Sequence, residues 1–283
     1  MKKQLCLAML TLSSMSVFAL EPVYSSGIKE SESEMQKRLI YDFGEDETWT
    51  VNKKTFVKNF SAQYVDLFKN NAKVNEQQFV AFDVDKLRQD ELKHRDMAFK
   101  QAVVRFGILD SNKDKAINLK EFQDIGLKTF ANFDRNQDGV ITLADDQEKK
   151  ATATDMPHDG RRLRSRLSMP MPNNVPEFIR EYGDGQDGVT LGQYLLKREV
   201  QYHKTDANHD GHLDEPEYVG EFKQRYIAHQ QQVFADAEQF AQQRFQAIAG
   251  KSATIQQKDV NKFAEKLFKV WDHNRDGKLS VGE

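Results

Sequence analysis

One twelve-residue pattern occurs four times in the chain and limits what the chain can fold into. The 206 loop, residues 206–217, reads DANHDGHLDEPE, with Asp or Asn at its first, third and fifth places and glycine at its sixth. Carboxylates this close together repel one another. The segment is therefore either a solvated acidic turn or a loop around a cation. Three other segments share its frame, which favours the cation: the 110 loop (110–121, DSNKDKAINLKE), the 134 loop (134–145, DRNQDGVITLAD) and the 272 loop (272–283, DHNRDGKLSVGE).

These four loops resemble the calcium-binding loops of the EF-hand family. In that family, oxygens at the first, third, fifth, seventh, ninth and twelfth places surround the ion, and the seventh place binds through its backbone carbonyl. The resemblance implies these metal ligands: Asp110, Asn112, Asp114, Ala116, Asn118 and Glu121; Asp134, Asn136, Asp138, Val140, Thr142 and Asp145; Asp206, Asn208, Asp210, His212, Asp214 and Glu217; Asp272, Asn274, Asp276, Lys278, Ser280 and Glu283.

The four loops differ in their expected affinity for Ca²⁺. The 206 loop has four carboxylates at ligand places and each of the others has three, so the 206 loop is expected to bind tightest. Lys115 stands where the turn glycine belongs in the 110 loop, at a cost of about 1 kcal/mol in a left-handed conformation. Asp145 has a shorter side chain than Glu at the twelfth place of the 134 loop. That difference favours Mg²⁺ or weaker Ca²⁺ binding there.

Spacing indicates four more loops that lack the ligands. One pair of ligand-carrying loops starts at 110 and 134, and the same step back from 206 and 272 leads to 182–193 and 248–259. Two segments fit more loosely, at 44–55 and 67–78. The eighth-place residue of each loop is expected to form a short β-bridge with the neighbouring loop. Those residues include Val51, Val74, Val189, Leu213 and Ile255.

The resemblance implies an all-α fold of tandem paired EF-hands (helix–loop–helix), with up to four pairs. An aromatic residue precedes each ligand-carrying loop by four places and is expected in the core. These residues are Phe106, Phe130, Tyr202 and Phe268. The expected organisation is a signal peptide at 1–19, a ligand-poor pair at 20–90, a pair at 91–150, a linker at 151–167, and pairs with a ligand-poor first member at 168–228 and 229–283.

The N-terminus has the pattern of a secretory signal peptide. MKKQLCLAMLTLSSMSVFA has two lysines, a short apolar run and small residues, which predicts cleavage after Ala19 and a periplasmic or secreted protein. The Lys-Lys start is typical of bacteria. Cys6, the single cysteine, lies in this segment, so the exported chain has no disulfide. We expect no integral membrane segment after it. The net charge of −3 argues against a nucleic-acid partner.

Three other motifs offer alternatives. GDGQDG at 183–188 fits a dinucleotide-binding pattern, but that pattern requires a strand before it. His203, His209 and His212 could bind zinc, although their spacing is not that of a zinc motif. The basic run RRLRSR at 161–166 is either a solvated linker or a contact for an acidic partner, an anionic membrane or the protein's own loops.

The sequence thus predicts an exported calcium-binding protein that acts as a sensor, a buffer or a calcium-stabilised interaction module, with calcium ions and a protein as its partners. No serine-hydrolase, zinc-protease or phosphate-loop motif is present, so we expect no enzyme. Two alternatives remain: an enzyme of unknown reaction that calcium stabilises, and a regulatory subunit that binds its partner when calcium is present.

Overall fold

The computed structural model describes residues 32–44, 50–146, 167–169, 171–172 and 174–280. The predictions about the signal peptide and Ala19, the basic run at 161–166 and Glu283 lie outside the described residues.

The described part of the chain is all-α, as predicted, and its strands are only two or three residues long. The helices are α1 (Glu32–Phe43), α2 (Lys53–Ala62), α3 (Val65–Lys69), α4 (Glu76–Leu109), α5 (Leu119–Phe133), α6 (Val175–Tyr182), α7 (Leu191–Thr205), α8 (Glu215–Ala249) and α9 (Gln257–Trp271), with a 3-10 turn at Leu143–Asp145. The strands are β1 (Thr50–Asn52), β2 (Val74–Asn75), β3 (Ala116–Asn118), β4 (Val140–Thr142), β5 (Gly188–Thr190), β6 (His212–Asp214), β7 (Thr254–Ile255) and β8 (Lys278–Ser280). None of the described helices is long and apolar enough to span a bilayer.

Several helices that follow a loop start with the same cap. The ninth-place side chain is the N-cap and accepts a hydrogen bond from the backbone N–H three residues later, which satisfies a helix N–H that has no partner within the helix. Asn118 does this at α5, Thr190 at α7 and Asn52 at α2. The cap is present at 44–55 and 182–193, which lack ligands, so it is a requirement of the fold rather than of metal binding.

The eighth-place residues form β-bridges, but not with the neighbours expected. The strands pair antiparallel in the order β1–β8, β2–β7, β3–β6 and β4–β5. The first loop is therefore bridged to the last, and the others nest inside. The central partners are Val51↔Leu279, Val74↔Ile255, Ile117↔Leu213 and Ile141↔Val189.

The predicted pairing of consecutive loops is therefore wrong, and helix length explains why. The short step between consecutive loops leaves room for only one helix. Helix α5 alone fills the interval between the 110 and 134 loops. Its 15 residues hold the two loops about 22 Å apart. Helices α7 and α9 fill the corresponding intervals in the second half of the chain, so each loop must find a partner elsewhere.

The described chain forms two compact units instead of four consecutive pairs. The first unit is drawn from the stretches 1–91, 163–168 and 230–283, and the second from 92–162 and 169–229. The predicted pairs at 20–90 and 229–283 are thus parts of one unit, and those at 91–150 and 168–228 parts of the other.

The first unit has an aromatic core between α2 and α9. The ring centroids of Phe56 and Phe268 are 5.6 Å apart, and Phe268 is 1 % exposed, as expected for a ring that precedes a loop. Arg244 adds a polar contact, because its guanidinium lies 2.7 Å from Asp83 and 3.1 Å from the Tyr64 hydroxyl. This ion pair is largely shielded from water, so loss of either partner would leave a costly unpaired charge.

The second unit packs α5 against α7 through a glycine. A Cβ atom on Gly126 would come within 2.3 Å of Arg198 Nε, so any larger residue there would displace this arginine. Arg198 donates to the Phe122 carbonyl and lies over the Phe122 ring, 4.2 Å from its centroid. Phe106, Phe130 and Tyr202 are all buried in this unit, as predicted.

Candidate metal centre

The ligand-carrying loops share one backbone conformation. Their fourth and sixth places have positive φ in every case, with values between 60° and 83°. Glycine is at the sixth place in three loops, and Lys115 adopts φ 72° in the 110 loop. The sixth-place N–H donates to Oδ2 of the first-place aspartate at 3.0 to 3.2 Å. The donor and acceptor pairs are Lys115–Asp110, Gly139–Asp134, Gly211–Asp206 and Gly277–Asp272.

The third and fifth places hold the turn together by a repeated set of bonds. In the 206 loop, Asn208 Oδ1 accepts from the Asp210 N–H at 2.8 Å, and Asp210 Oδ1 accepts from the His212 N–H at 2.9 Å. The other three loops make the same two bonds at 2.8 to 3.0 Å. Their third- and fifth-place residues are Asn112 and Asp114, Asn136 and Asp138, and Asn274 and Asp276.

The first-place aspartates have an oxygen that nothing in the described structure satisfies. Oδ1 of Asp134, Asp206 and Asp272 is buried and accepts no hydrogen bond. Asp206 is only 3 % exposed and Asp134 only 7 %. A buried carboxylate oxygen without a donor is costly, and a cation removes that cost. In the 110 loop, by contrast, Asp110 Oδ1 accepts from the Asp114 N–H at 3.1 Å.

The twelfth-place carboxylates that the structure describes are bonded to their own loops. Glu217 Oε1 accepts from the N–H groups of Ala207 and Asn208 at 3.0 and 3.1 Å, and its Oε2 accepts from the Asp214 N–H at 3.1 Å. Glu121 makes the same set of bonds in the 110 loop, with an additional one from the Ser111 hydroxyl at 2.8 Å.

The pKa values of two of these carboxyls are depressed. Burial alone would raise the pKa of Glu121, but hydrogen bonds from Asn118 and Ser111 outweigh it, and the pKa lies below its usual value. The balance is the same at Asp145. Burial raises its pKa and bonds from the N–H groups of Thr142 and Asn136 lower it, with a net decrease. Both carboxyls are therefore held in the charged form that a cation requires.

Asp145 reaches as far across its loop as the longer glutamates do. Its oxygens accept from Arg135 N–H at 3.0 Å and Thr142 N–H at 2.9 Å. The last three residues of this loop, Leu143–Asp145, form a 3-10 turn, whereas an α-helix begins within the 110 and 206 loops. The twelfth place thus compensates for a shorter side chain by a different backbone.

The remaining predicted ligands lie at the bridges. The seventh-place residues Ala116, Val140, His212 and Lys278 begin β3, β4, β6 and β8. At the ninth place, Asn118 Oδ1 and Asp214 Oδ1 accept helix N–H groups, Thr142 Oγ1 accepts from the Ala144 N–H at 3.2 Å, and Ser280 ends β8.

Within the described residues, no group of three or more His, Cys, Asp or Glu side chains is arranged so that it could hold a metal ion. The hydrogen bonds explain this, because the described carboxylates of each loop accept hydrogen bonds from backbone N–H groups. The unsatisfied Oδ1 atoms still fit a cation. The three histidines form no such group either, and two of their rings have other neighbours: the ring of His203 lies 3.9 Å from Glu199, and that of His212 lies 3.3 Å from the Asp210 carbonyl oxygen.

A lysine of helix α7 contacts the ligand-poor loop at 182–193. Lys197 Nζ lies 2.6 Å from Oδ1 of Asp184, the third-place residue. Tyr182 takes the first place, and burial is the main cause that raises its pKa to about 12. The motif at 183–188 follows helix α6 rather than a strand, which removes the structural context of a dinucleotide site.

The sequence analysis missed the polar role of Tyr202. Its hydroxyl lies 2.9 Å from the Ile117 carbonyl oxygen and 2.7 Å from that of Gly211, in two different loops. The sequence contains a signal for this role, because Phe stands four places before each of the other ligand-carrying loops, where the 206 loop is preceded by Tyr202.

Residues 127–145, which contain the 134 loop and most of the second half of helix α5 before it, match the family model described as EF hand. Searches of the curated proteins and of the solved structures found no significant match. The match supports the EF-hand superfamily and calcium binding for that segment.

Proposed function

We propose that the protein is an exported calcium-binding protein without catalytic activity, and that it acts as a sensor, a buffer or a calcium-stabilised interaction module. The main support is the unsatisfied Oδ1 of Asp206, which is buried inside a loop with three other carboxylates at ligand places. A divalent cation in this loop would neutralise charge that otherwise opposes folding.

The residues that would hold the ion are those of the EF-hand pattern in the 110, 134, 206 and 272 loops. In the 206 loop, Glu217 now uses both oxygens on loop N–H groups. If it bound the ion, it would exchange those bonds for metal bonds. Since Glu217 lies in the first turn of α8, the exchange offers a direct link between metal binding and the position of a helix. In the 134 loop, Asp145 makes Mg²⁺ a competing ion.

Calorimetric titration of the chain from residue 20 with Ca²⁺ and Mg²⁺ tests this proposal. We expect about four calcium sites. Glu217→Gln should weaken calcium binding at the 206 loop about tenfold or more, because a charged ligand is lost. Glu215→Gln removes the same charge two residues earlier from an exposed position outside the ligand set and should leave all sites intact. Absence of heat with either ion in the parent protein would reject the proposal.

The proposed export has a separate test. When the full chain is expressed in a bacterium and the periplasmic fraction is isolated, N-terminal sequencing should begin at Leu20. An intact Met1 in the cytoplasmic fraction would contradict export without bearing on calcium binding.

Exposed apolar side chains favour the interaction module. On α7, Leu196 and Val200 are 61 % and 62 % exposed, and they are one helical turn apart. On α4, Val104 and Ile108 repeat this arrangement at 53 % and 61 %. If this surface changes with calcium, fluorescence of a hydrophobic dye should differ between calcium-loaded and chelator-treated protein. Leu196→Glu with Val200→Glu should reduce that difference, whereas a pure buffer would show none.

A further inference from the structure

We propose that the Tyr202 hydroxyl couples metal binding in the 206 loop to metal binding in the 110 loop, as a positioning group that touches neither ion. This inference rests on the proposed calcium binding. It adds that one buried hydroxyl carries the coupling between two loops that lie far apart in sequence and face each other in the fold.

The nested pairing selects these two loops. The 110 and 206 loops face each other through β3 and β6, and both carry a complete set of oxygen ligands. The 134 loop faces the ligand-poor segment 182–193, and the 272 loop faces the ligand-poor segment 44–55. Among the bridges of the described chain, only β3–β6 can therefore transmit an effect from one metal site to another.

A chain of hydrogen bonds joins a ligand of one loop to a ligand of the other. Asp210 Oδ1 accepts from the His212 N–H at 2.9 Å. The carbonyl of Gly211 belongs to the same rigid peptide group and lies 2.7 Å from the Tyr202 hydroxyl. Any rotation of that peptide moves both groups at once.

The series of hydrogen bonds continues in the 110 loop with the same arrangement. The Tyr202 hydroxyl lies 2.9 Å from the Ile117 carbonyl oxygen. The N–H of Asn118 is part of that peptide group and donates to Glu121 Oε2 at 3.1 Å. A phenol has one hydroxyl hydrogen. The Tyr202 hydroxyl therefore donates this hydrogen to one of the two carbonyl oxygens or shares it between them. A movement of either peptide group therefore changes the hydrogen bond that the hydroxyl makes to the other peptide group.

The position of Tyr202 makes this link a specific one. Its side chain is 1 % exposed, so water cannot replace the hydroxyl. At the corresponding places before the 110, 134 and 272 loops the chain has phenylalanine, which fills the core but cannot bond to a carbonyl. Among these four places the tyrosine thus occurs once, in the pair whose two loops both carry ligands.

Calorimetry on a set of variants measures the coupling. In the chain from residue 20, Glu121→Gln weakens the 110 loop. We expect it also to weaken calcium binding at the 206 loop about tenfold, within the usual range for coupled sites. In the Tyr202→Phe background, the same substitution should change the affinity of the 206 loop less than about twofold. Reciprocity requires Glu217→Gln to weaken the 110 loop by the same factor in the parent.

Tyr194→Phe is the matched control. It removes a hydroxyl from another buried tyrosine of α7, in the core beside the 134 loop, and should leave the tenfold effect unchanged. Coupling that persists in Tyr202→Phe, or is absent from a parent that binds calcium at both loops, would overturn the proposed role of Tyr202 alone. A parent that binds no calcium would overturn both proposals.

A second measurement does not depend on the folding of the Tyr202→Phe variant. In ¹⁵N-labelled Glu121→Gln protein, calcium that binds the 206 loop should shift the amide resonances of His212 and Asn118 together. A shift of the His212 resonance without one of the Asn118 resonance would show that these hydrogen bonds do not transmit the effect of calcium binding from the 206 loop to the 110 loop.

Discussion

At the residue scale, Lys115 departs most from the repeated loop pattern, because it takes the sixth place, where the other ligand-carrying loops have glycine. Its φ of 72° lies in the left-handed region, where a side chain costs about 1 kcal/mol and glycine costs nothing. The loop keeps the turn because the Lys115 N–H must reach Asp110 Oδ2, at 3.0 Å. The fold therefore requires this conformation whether or not the residue suits it.

Replacement of Lys115 should separate strain from charge. Lys115→Gly removes both the strained Cβ and a positive charge near the site. Lys115→Ala removes only the charge. We expect Lys115→Gly to raise the melting temperature of calcium-free protein above that of Lys115→Ala, and both to bind calcium more tightly at the 110 loop than the parent. Equal melting temperatures for the two variants would show that the positive φ stores no strain.

The ligand positions and the turn could be predicted from the sequence because they are local. Alternate Asp and Asn side chains and a sixth-place glycine need only their own loop to form the observed bonds, as the 206 loop shows. The contact of Lys197 with Asp184 could not be predicted, because it depends on how α7 leaves the loop.

At the scale of elements, the helix starts at α5 and α7 depend on the carboxylate or amide at the twelfth place. Glu121 is the third residue of α5 and forms a capping box with Asn118, and Gln193 forms the same box with Thr190 at α7. The ligand-poor loop at 182–193 thus keeps the cap with an uncharged side chain. A glutamine is therefore a natural replacement for the glutamate.

This cap predicts a pH dependence for calcium-free protein. The pKa of Glu121 is lower in the folded state than the ordinary value of 4.5, so its contribution to stability is present above pH 4.5 and is lost as the pH falls through the folded pKa. Denaturation in chelator between pH 7 and pH 3 should show a smaller loss for Glu121→Gln than for the parent. An identical loss would mean that the Glu121 carboxyl is not stabilised by its hydrogen bonds.

The helices between consecutive loops explain which part of the sequence prediction was correct and which was wrong. The regular step between loop starts correctly located Val189 and Ile255 at bridges. The same step predicted the wrong bridge partners, because a single helix such as α5 separates consecutive loops and keeps them apart. Counting the residues left between loops, and multiplying by the helical rise, would have excluded the consecutive pairing.

At the scale of the whole molecule, the nested order of bridges is a claim that engineered disulfides can test. Residues opposite each other on antiparallel strands have Cα atoms about 4.5–5.5 Å apart, which suits a disulfide. With Cys6 replaced by serine, Thr50→Cys with Ser280→Cys should form a bond, since these residues are partners on β1 and β8. Thr50→Cys with Asn75→Cys tests the consecutive arrangement and should stay reduced. Electrophoresis without reductant distinguishes the two results.

The nested order also sets the sequence in which a growing chain can assemble. Strand β4 ends at Thr142 and its partner β5 begins at Gly188, so this bridge can close while later residues are still being made. Strand β1 ends at Asn52 and must wait for β8, which begins only at Lys278. Because the entropy lost on closing a loop rises with its length, assembly should proceed from the middle of the chain towards its two ends. The earliest residues to emerge are therefore the last to gain their partners, and they have the longest exposure to proteases and chaperones on the way.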